Sequence, residues 1–210
     1  AAPFGLLGAA WLFASLAAAQ APPLGLPPVP VPADNPQTPA QVAPGSGAAV
    51  DYVLPYPKHE FLRYAVAYHE VLLHGTNRDD IVELAPRQQT DYSGRPTTAV
   101  FASGDGIWPF FFAVIDRPRW RGSLRNACFV VGRPEQKERR FYFFSVNAAM
   151  HAHGCWAAGF IYILPRATFA RTDSGAVRFD EWASPTAVRP LARLAVQPED
   201  FPFLHQVAAH

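Results

Sequence analysis

The hydrophobic positions along the chain fall into short blocks that predict β-strands. The blocks are rich in β-branched and aromatic residues and end at glycine, proline or charged turns, a pattern typical of strands. They are Thr97 to Ala102, Cys128 to Val131, Phe141 to Phe144, Gly159 to Leu164, Phe179 to Ala183 and Val188 to Val196. A charged turn from Arg133 to Arg140 separates the second block from the third.

Upstream of these blocks, the apolar stretch Phe61 to Leu73 opens the folded region and runs into His74-Gly75-Thr76. A short helix is predicted from Asn77 to Leu84, because asparagine caps helices and two early aspartates suit the positive helix end. A second helix is predicted from Ser103 to Ala113, with Pro109 in its first turns. Strands outnumber helices, and the helices cluster early. This pattern predicts an α+β fold with a mixed, mainly antiparallel split β-sheet core and few short helices.

The first 50 residues differ from the rest of the chain. Ala1 to Ala33 carries no charge, and Gly5 to Ala19 is an apolar run followed by A-x-A-type cleavage patterns. We expect residues 1–21 to be a signal-peptide-like segment and the protein to be exported, periplasmic or secreted, with no stable membrane span after processing. If this segment is not a genuine signal, a cytoplasmic location follows.

Pro22 to Pro44 contains nine prolines. Prolines at this density exclude helix and central strand, so residues 22–50 are predicted to be a disordered linker and residues 51–210 the folded domain. The run Gly25 to Pro36 resembles the N-terminal lead-in of di-haem cytochrome c peroxidases. The chain has none of the haem-binding motifs, so this resemblance implies no activity.

The charge of the chain bears on nucleic-acid binding, and its two cysteines bear on whether the protein is exported. Half of the residues are hydrophobic, 17% are charged and the formal net charge is +1, so no large basic face marks a nucleic-acid-binding protein. A small basic patch remains compatible with that total. Cys128 and Cys155 fit one disulfide in an exported protein, or two buried thiols otherwise.

Three stretches combine a strand end with reactive or aromatic side chains. The first is His74-Gly75-Thr76, where glycine allows a ligand to approach the main chain. The second is Val100-Phe101-Ala102-Ser103, followed by the aromatic segment Trp108 to Ala113. The third contains Glu181 between apolar strand residues, where a carboxylate is costly unless it is partnered or used, and it continues to Val188-Arg189-Pro190.

In this order, the three stretches resemble the ADP-ribosyltransferase fold. The resemblance is to the histidine-type branch shared by poly-ADP-ribose polymerases and diphtheria-like toxins. His74, Gly75 and Thr76 match that branch's His-Gly-Ser/Thr strand. Val100-Phe101-Ala102 stands where Tyr-Phe-Ala is usual. Glu181 corresponds to the late catalytic glutamate, so the resemblance spans about Leu72 to Val196.

The resemblance implies a protein that uses NAD as substrate and transfers ADP-ribose to a protein, nucleic-acid or small-molecule acceptor. His74 would bond the adenosine ribose, Gly75 main-chain groups the nicotinamide amide, and Thr76 would support the ribose pocket. Phe111 would stack on nicotinamide, with Phe101 behind it. Glu181 would stabilise the cationic sugar as nicotinamide leaves, by electrostatic preorganisation.

Some alternatives stay open at this stage. Val100 replaces the family tyrosine, so a wall of the pocket would be missing or supplied by Tyr68 or Tyr92, and an inactive ligand- or NAD-binding module is possible. A metal-binding module through His151, His153 and Cys155 is a second alternative. The arginines between Arg117 and Arg125 are either a solvated face or a contact for phosphates of a nucleotide or nucleic acid.

Overall fold

The protein is described by a computed structural model that covers residues 47–91, 94–132, 138–172 and 177–210. The signal-like segment and nearly all of the proline-rich linker lie outside the described residues. Within the described chain, three α-helices, twelve short strands and three 3-10 turns give the predicted α+β class. No helix of this part is long and apolar enough to cross a membrane.

The elements follow one another in a simple order. The first half contains β1 (Ala48–Ala49), α1 (Lys58–Tyr68), β2 (Val71–Thr76), β3 (Arg87–Thr90), β4 (Pro96–Ala102) and α2 (Trp108–Ala113). The second half contains β5 (Leu124–Val131), β6 (Arg139–Val146), α3 (Ala148–His153), β7 (Gly159–Pro165), β8 (Ala170–Arg171), β9 (Val177–Phe179), β10 (Trp182–Ser184), β11 (Ala192–Val196) and β12 (Ala208–Ala209).

The strands form three four-stranded sheets that are mostly antiparallel. Their orders are β1-β11-β7-β2, β3-β4-β10-β8 and β12-β6-β5-β9. Among the strands of the described residues, only the short pairs β1–β11 and β12–β6 are parallel. Because β1 pairs with β11, the folded part of the chain includes Ala48 and Ala49, which lie inside the segment predicted as linker.

Two hydrophobic cores lie on opposite faces of β2. Side chains of a strand alternate between faces, and Val71 and Leu73 join the larger core, which contains α2, while Leu72 joins the smaller one. The larger core also contains Phe111, Phe144 and Phe201, with the Phe111 and Phe144 ring centres 5.0 Å apart. The predicted strands from Thr97 to Leu164 are confirmed as β4 to β7.

The predicted helix from Asn77 to Leu84 is wrong. The Asn77 amide nitrogen donates to the Ala113 carbonyl oxygen at 2.7 Å instead of capping its own segment. Downstream, Leu84 forms an isolated bridge with Val188, with N–H···O distances of 2.8 and 2.9 Å. Tertiary partners for the backbone therefore outweigh the local helix signals.

The second predicted helix forms but is shorter, beginning at Trp108. Ser103 accepts a bond from the Asp105 amide, and Asp105 Oδ1 accepts from the Ile107 and Trp108 amides at 2.8 and 2.7 Å. Asp105, and not Ser103 at the predicted start of the helix, therefore accepts the bonds from the first amides of α2. Pro109 sits in the first turn as predicted, where its missing N–H costs nothing.

Candidate functional site

A cleft opens where β2 and β4 separate. Leu73 and Ser103 exchange two backbone hydrogen bonds of 2.9 Å, and beyond this bridge β2 stays paired with β7 while β4 pairs with β3 and β10. The cleft has a volume of about 1230 Å³, which exceeds the ~300–1,000 Å³ of most small-molecule pockets. There is room for a dinucleotide-sized ligand.

His74 spans the gap between the two strands. Its Nδ1 donates to the Phe101 carbonyl oxygen at 2.8 Å, because a carbonyl can only accept. Burial lowers the pKa of His74 below its usual 6.5, although this hydrogen bond favours the protonated ring. The imidazole is therefore neutral at pH 7 with its lone pair on Nε2, an acceptor for a ligand hydroxyl.

Gly75 has two structural roles. Along an antiparallel strand, successive residues direct their backbone N–H and C=O groups to opposite edges of the strand. Leu73 directs its N–H and C=O away from β7 and towards Ser103. Two residues on, Gly75 directs its own N–H and C=O to the same edge, into the cleft. A Cβ at Gly75 would meet the Pro109 carbonyl oxygen at 1.9 Å, so glycine is also what lets α2 lie on β2.

Thr76 and Asn77 fix the turn that follows. Thr76 Oγ1 accepts from the Arg78 amide at 3.3 Å, so this hydroxyl supports the turn. Asn77 bonds the Ala113 carbonyl oxygen through Nδ2 and accepts from the Arg117 amide at 3.2 Å through Oδ1. The end of β2 is thereby tied to the end of α2 and to the loop after it.

Phe101 lines the cleft as expected, whereas Phe111 does not. Phe111 is 0% exposed and lies in the larger core, while the next residue, Phe112, is 38% exposed and lines the cleft. Phe111 therefore cannot stack on a ligand in the cleft, because consecutive side chains on a helix point in different directions. Trp108, one turn before Phe112, supplies a second aromatic wall and donates Nε1 to Asn126 at 2.7 Å.

Glu181 lies on the wall formed by β10, just outside the strand. It is partly buried, lines the cleft, and its carbonyl oxygen accepts from the Thr172 amide and hydroxyl at 3.2 and 3.3 Å. The cleft therefore brings together His74, Gly75, Thr76, Phe101 and Glu181 from the predicted set, and leaves Phe111 out.

A buried ionic cluster sits behind Glu181. Asp105 and Asp180 are 3% and 1% exposed, and Arg140 bridges them with nitrogen–oxygen distances of 3.1 and 3.3 Å. Tyr142 donates to Asp105 at 2.7 Å, and Trp182 donates to Asp180 at 3.2 Å. We name this set the Arg140 cluster.

The pKa shifts in the Arg140 cluster follow its burial. Burial raises the pKa of Asp105 even though Arg140 opposes the shift, while Asp180 and Asp105 raise the pKa of Arg140 despite burial. Burial also raises the pKa of the Cys128 thiol, whose Sγ lies within 4.8 Å of the two carboxylates. Arg140 supplies a positive charge that both carboxylates share, so in this structure the group is an ion-pair network.

The metal alternative finds no support in the geometry. In the described chain, His151, His153 and Cys155 belong to no group of metal-ligating side chains. His151 Nε2 donates to the Val207 carbonyl oxygen at 3.0 Å, and His153 stacks on Trp120 with ring centres 5.7 Å apart. Cys128 and Cys155 are two buried thiols without a disulfide.

Val100 points away from the cleft. It is 3% exposed and packs in the smaller core with Leu72 and Tyr162, so the side chain at this position forms no wall of the cleft. Tyr68 is exposed on α1 and does not line the cleft, and Tyr92 lies outside the described residues. Phe101 and Phe112 supply the aromatic faces instead.

Comparison with protein families, with curated proteins and with solved structures finds no match. The site is therefore argued from its own geometry. Sequence reasoning missed Trp108, Phe112 and Asn126, because a dense aromatic run does not reveal which face of a short helix is exposed. It also missed the Arg140 cluster, whose members lie up to 77 residues apart in the chain.

Proposed function

We propose that the cleft binds NAD and that the protein is an ADP-ribosyltransferase-like enzyme acting on an acceptor still to be identified. The observation that carries the proposal is that His74 and Glu181 line one cleft, at the split between β2 and β4. Gly75 and the aromatic rings of Phe101 and Phe112 line the same cleft. The histidine-type resemblance calls for these kinds of group, with Phe112 in the place of Phe111.

Each group has a role that its chemistry supports. The neutral His74 would accept a bond from an adenosine-ribose hydroxyl through Nε2. The Gly75 N–H and C=O would pair with the nicotinamide amide, which presents the complementary acceptor and donor. Phe112, rather than Phe111, would stack on the nicotinamide ring. Thr76 would contribute through the turn that it holds.

Glu181 would act on the reacting sugar. The bond from the ribose C1′ to nicotinamide breaks, its electron pair leaves with nicotinamide, and positive charge develops on the sugar. A fixed carboxylate stabilises that charge. A nucleophile of the acceptor then bonds C1′ and releases its proton to water.

The test compares Glu181→Gln with His74→Ala. Glu181→Gln keeps the size of the side chain but removes its charge, so NAD cleavage should fall by about 10²–10³ while NAD affinity stays nearly unchanged. His74→Ala removes a ground-state contact and should weaken NAD binding. Calorimetry measures the binding and nicotinamide release measures the cleavage.

Glu70→Gln is the matched control, because Glu70 is an exposed glutamate paired with Arg166 and does not line the cleft. Absence of NAD binding by the wild type, or full activity of Glu181→Gln, would contradict the transferase proposal. NAD binding without turnover in the wild type would favour the inactive NAD-binding module.

A further inference from the structure

Four exposed arginines lie on the segment after α2 and at the start of β5: Arg117, Arg119, Arg121 and Arg125. We call residues 117–125 the arginine loop. Arg117 and Arg125 also line the cleft. Positive charge therefore runs from the cleft mouth outward along the loop.

These four arginines differ from most others in the protein. Among the described residues, none of the four lies in a salt bridge with a carboxylate, whereas eight other arginines do. The one acid beside the loop, Asp116, accepts from the Arg119 amide at 3.1 Å and is held in the turn. Asp116 supplies one negative charge against four arginines, so within the described part of the chain the loop keeps a net positive charge.

Contacts with Asn77, with the larger core and with His153 hold the arginine loop in place. Its first residue is fixed by Asn77, whose Oδ1 accepts from the Arg117 amide. Trp120 packs against the larger core and stacks on His153, while the Arg119 guanidinium lies 5.5 Å from the Trp120 ring centre. The cationic groups are therefore presented on an ordered backbone, which reduces the entropy lost on binding.

We infer that the arginine loop binds the phosphates of a single strand of nucleic acid at the mouth of the cleft. Phosphates at regular spacing suit a row of arginines. The ring of Phe112, 38% exposed in the cleft that Arg117 also lines, offers a face for an unpaired base, which a duplex does not expose. This binding goes beyond the proposed NAD chemistry and does not depend on it. Where both proposals hold, the nucleic-acid strand is the class of acceptor that receives ADP-ribose.

The experiment measures binding of the full chain to a short fluorescein-labelled DNA strand by anisotropy over a range of salt concentrations. The double variant Arg119→Gln/Arg121→Gln is chosen because neither residue lines the cleft. Each lost phosphate contact lowers the slope of log K against log salt by about 0.7 for a single strand. The variant should therefore bind more weakly, with a slope smaller by about 1.4.

Arg166→Gln/Arg189→Gln is the matched control, since it removes the same charge from arginines that pair with Glu70 and Glu83. The control should bind like the wild type. An equal loss in the control, no binding of the strand at low salt, or tighter binding of the duplex would overturn the inference. So would tighter binding of a polyglutamate peptide, which would indicate an acidic protein partner.

NAD calorimetry on the same proteins separates the two proposals. Arg119→Gln/Arg121→Gln should bind NAD like the wild type. Strand binding without NAD binding would leave this inference intact and reject the transferase proposal alone. NAD turnover without strand binding would do the reverse.

Discussion

At the scale of single residues, the neighbouring side chains of Phe111 and Phe112 lie in different places: Phe111 is buried and Phe112 is exposed. Phe111 contacts Phe144 and Phe201 in the larger core, and Phe112 presents its ring to the cleft. Both are phenylalanines on the same short helix, so they form a natural pair for separating stability from binding.

Phe111→Ala should destabilise the protein by about 3–5 kcal/mol, because it leaves a cavity in a close-packed core. Phe112→Ala should cost much less stability but weaken NAD binding, because it removes a stacking face. Denaturant unfolding measures the first effect and calorimetry the second. If Phe112→Ala binds NAD like the wild type, the ligand does not stack on this ring.

A single backbone contact determines which nitrogen of the neutral His74 ring carries the proton. Its Nδ1–H is committed to the Phe101 carbonyl oxygen, and burial keeps the ring neutral. Because the pKa of the folded state lies below that of the unfolded state, this residue lowers stability progressively as the pH falls below 6.5. The acceptor on Nε2 is present at neutral pH, where NAD binding is to be tested.

At the scale of elements, the contact of α2 with the first sheet depends on two glycines. A Cβ at Gly75 would lie 1.9 Å from the Pro109 carbonyl oxygen, and a Cβ at Gly159 would lie 1.9 Å from that of Ala113. Gly75 is on β2 and Gly159 on its partner β7. Together they form a flat surface on which the helix backbone rests.

Gly75→Ala and Gly159→Ala should each cost about 3 kcal/mol, the upper end of the usual range for overpacking, because the obstructing atoms are backbone. Gly104→Ala is a milder comparison, since its Cβ would meet side-chain atoms of Trp182 and Asp180 at 3.2 and 3.3 Å. Chemical denaturation compares the three variants. Wild-type stability of Gly75→Ala would show that α2 can move away from β2 at little cost.

At the scale of the whole molecule, the Arg140 cluster joins the two walls of the cleft. Asp105 caps α2, which carries Trp108 and Phe112, and Asp180 directly precedes Glu181. Arg140 on β6 bonds both carboxylates. Through Arg140, the third sheet therefore fixes the positions of α2 and of the segment that leads into β10.

Arg140→Met should destabilise the protein by about 3 kcal/mol at neutral pH, because two buried carboxylates lose their shared cation. We take the lower end of the usual range since the arginine is partly exposed. The raised pKa of Asp105 means that the folded state takes up a proton before the unfolded state as the pH falls. The deficit should therefore shrink towards acidic pH, and urea unfolding at several pH values measures it.

The double variant Arg140→Met/Asp105→Asn is the control. Asparagine keeps the oxygen that caps α2 but removes one of the two negative charges, so it should recover part of the lost stability. A pH-independent deficit, or no recovery in the double variant, would show that packing of the Arg140 side chain and not its charge holds the two walls.

The sequence by itself determined the class of the fold and most of its strands. Blocks such as Thr97 to Ala102 and Gly159 to Leu164 are locally consistent, because β-branched and aromatic residues favour strands and the flanking prolines and turns end them. The pattern also located His74 in the second half of a strand, but it placed Glu181 inside a strand, whereas the structure has it in the break between β9 and β10. These are properties of short stretches, which sequence records directly.

Only the tertiary structure decided which residues share the cleft. The face that α2 presents is set by its contact with Gly75 and Gly159, and that contact buries Phe111 and exposes Phe112. Asn77 leaves its predicted helix because the Ala113 carbonyl and the Arg117 amide offer it better partners. The exposed face of α2 and the loss of the helix at Asn77 both depend on groups distant in the chain. Local helix propensity is too weak to outweigh the contacts with those groups.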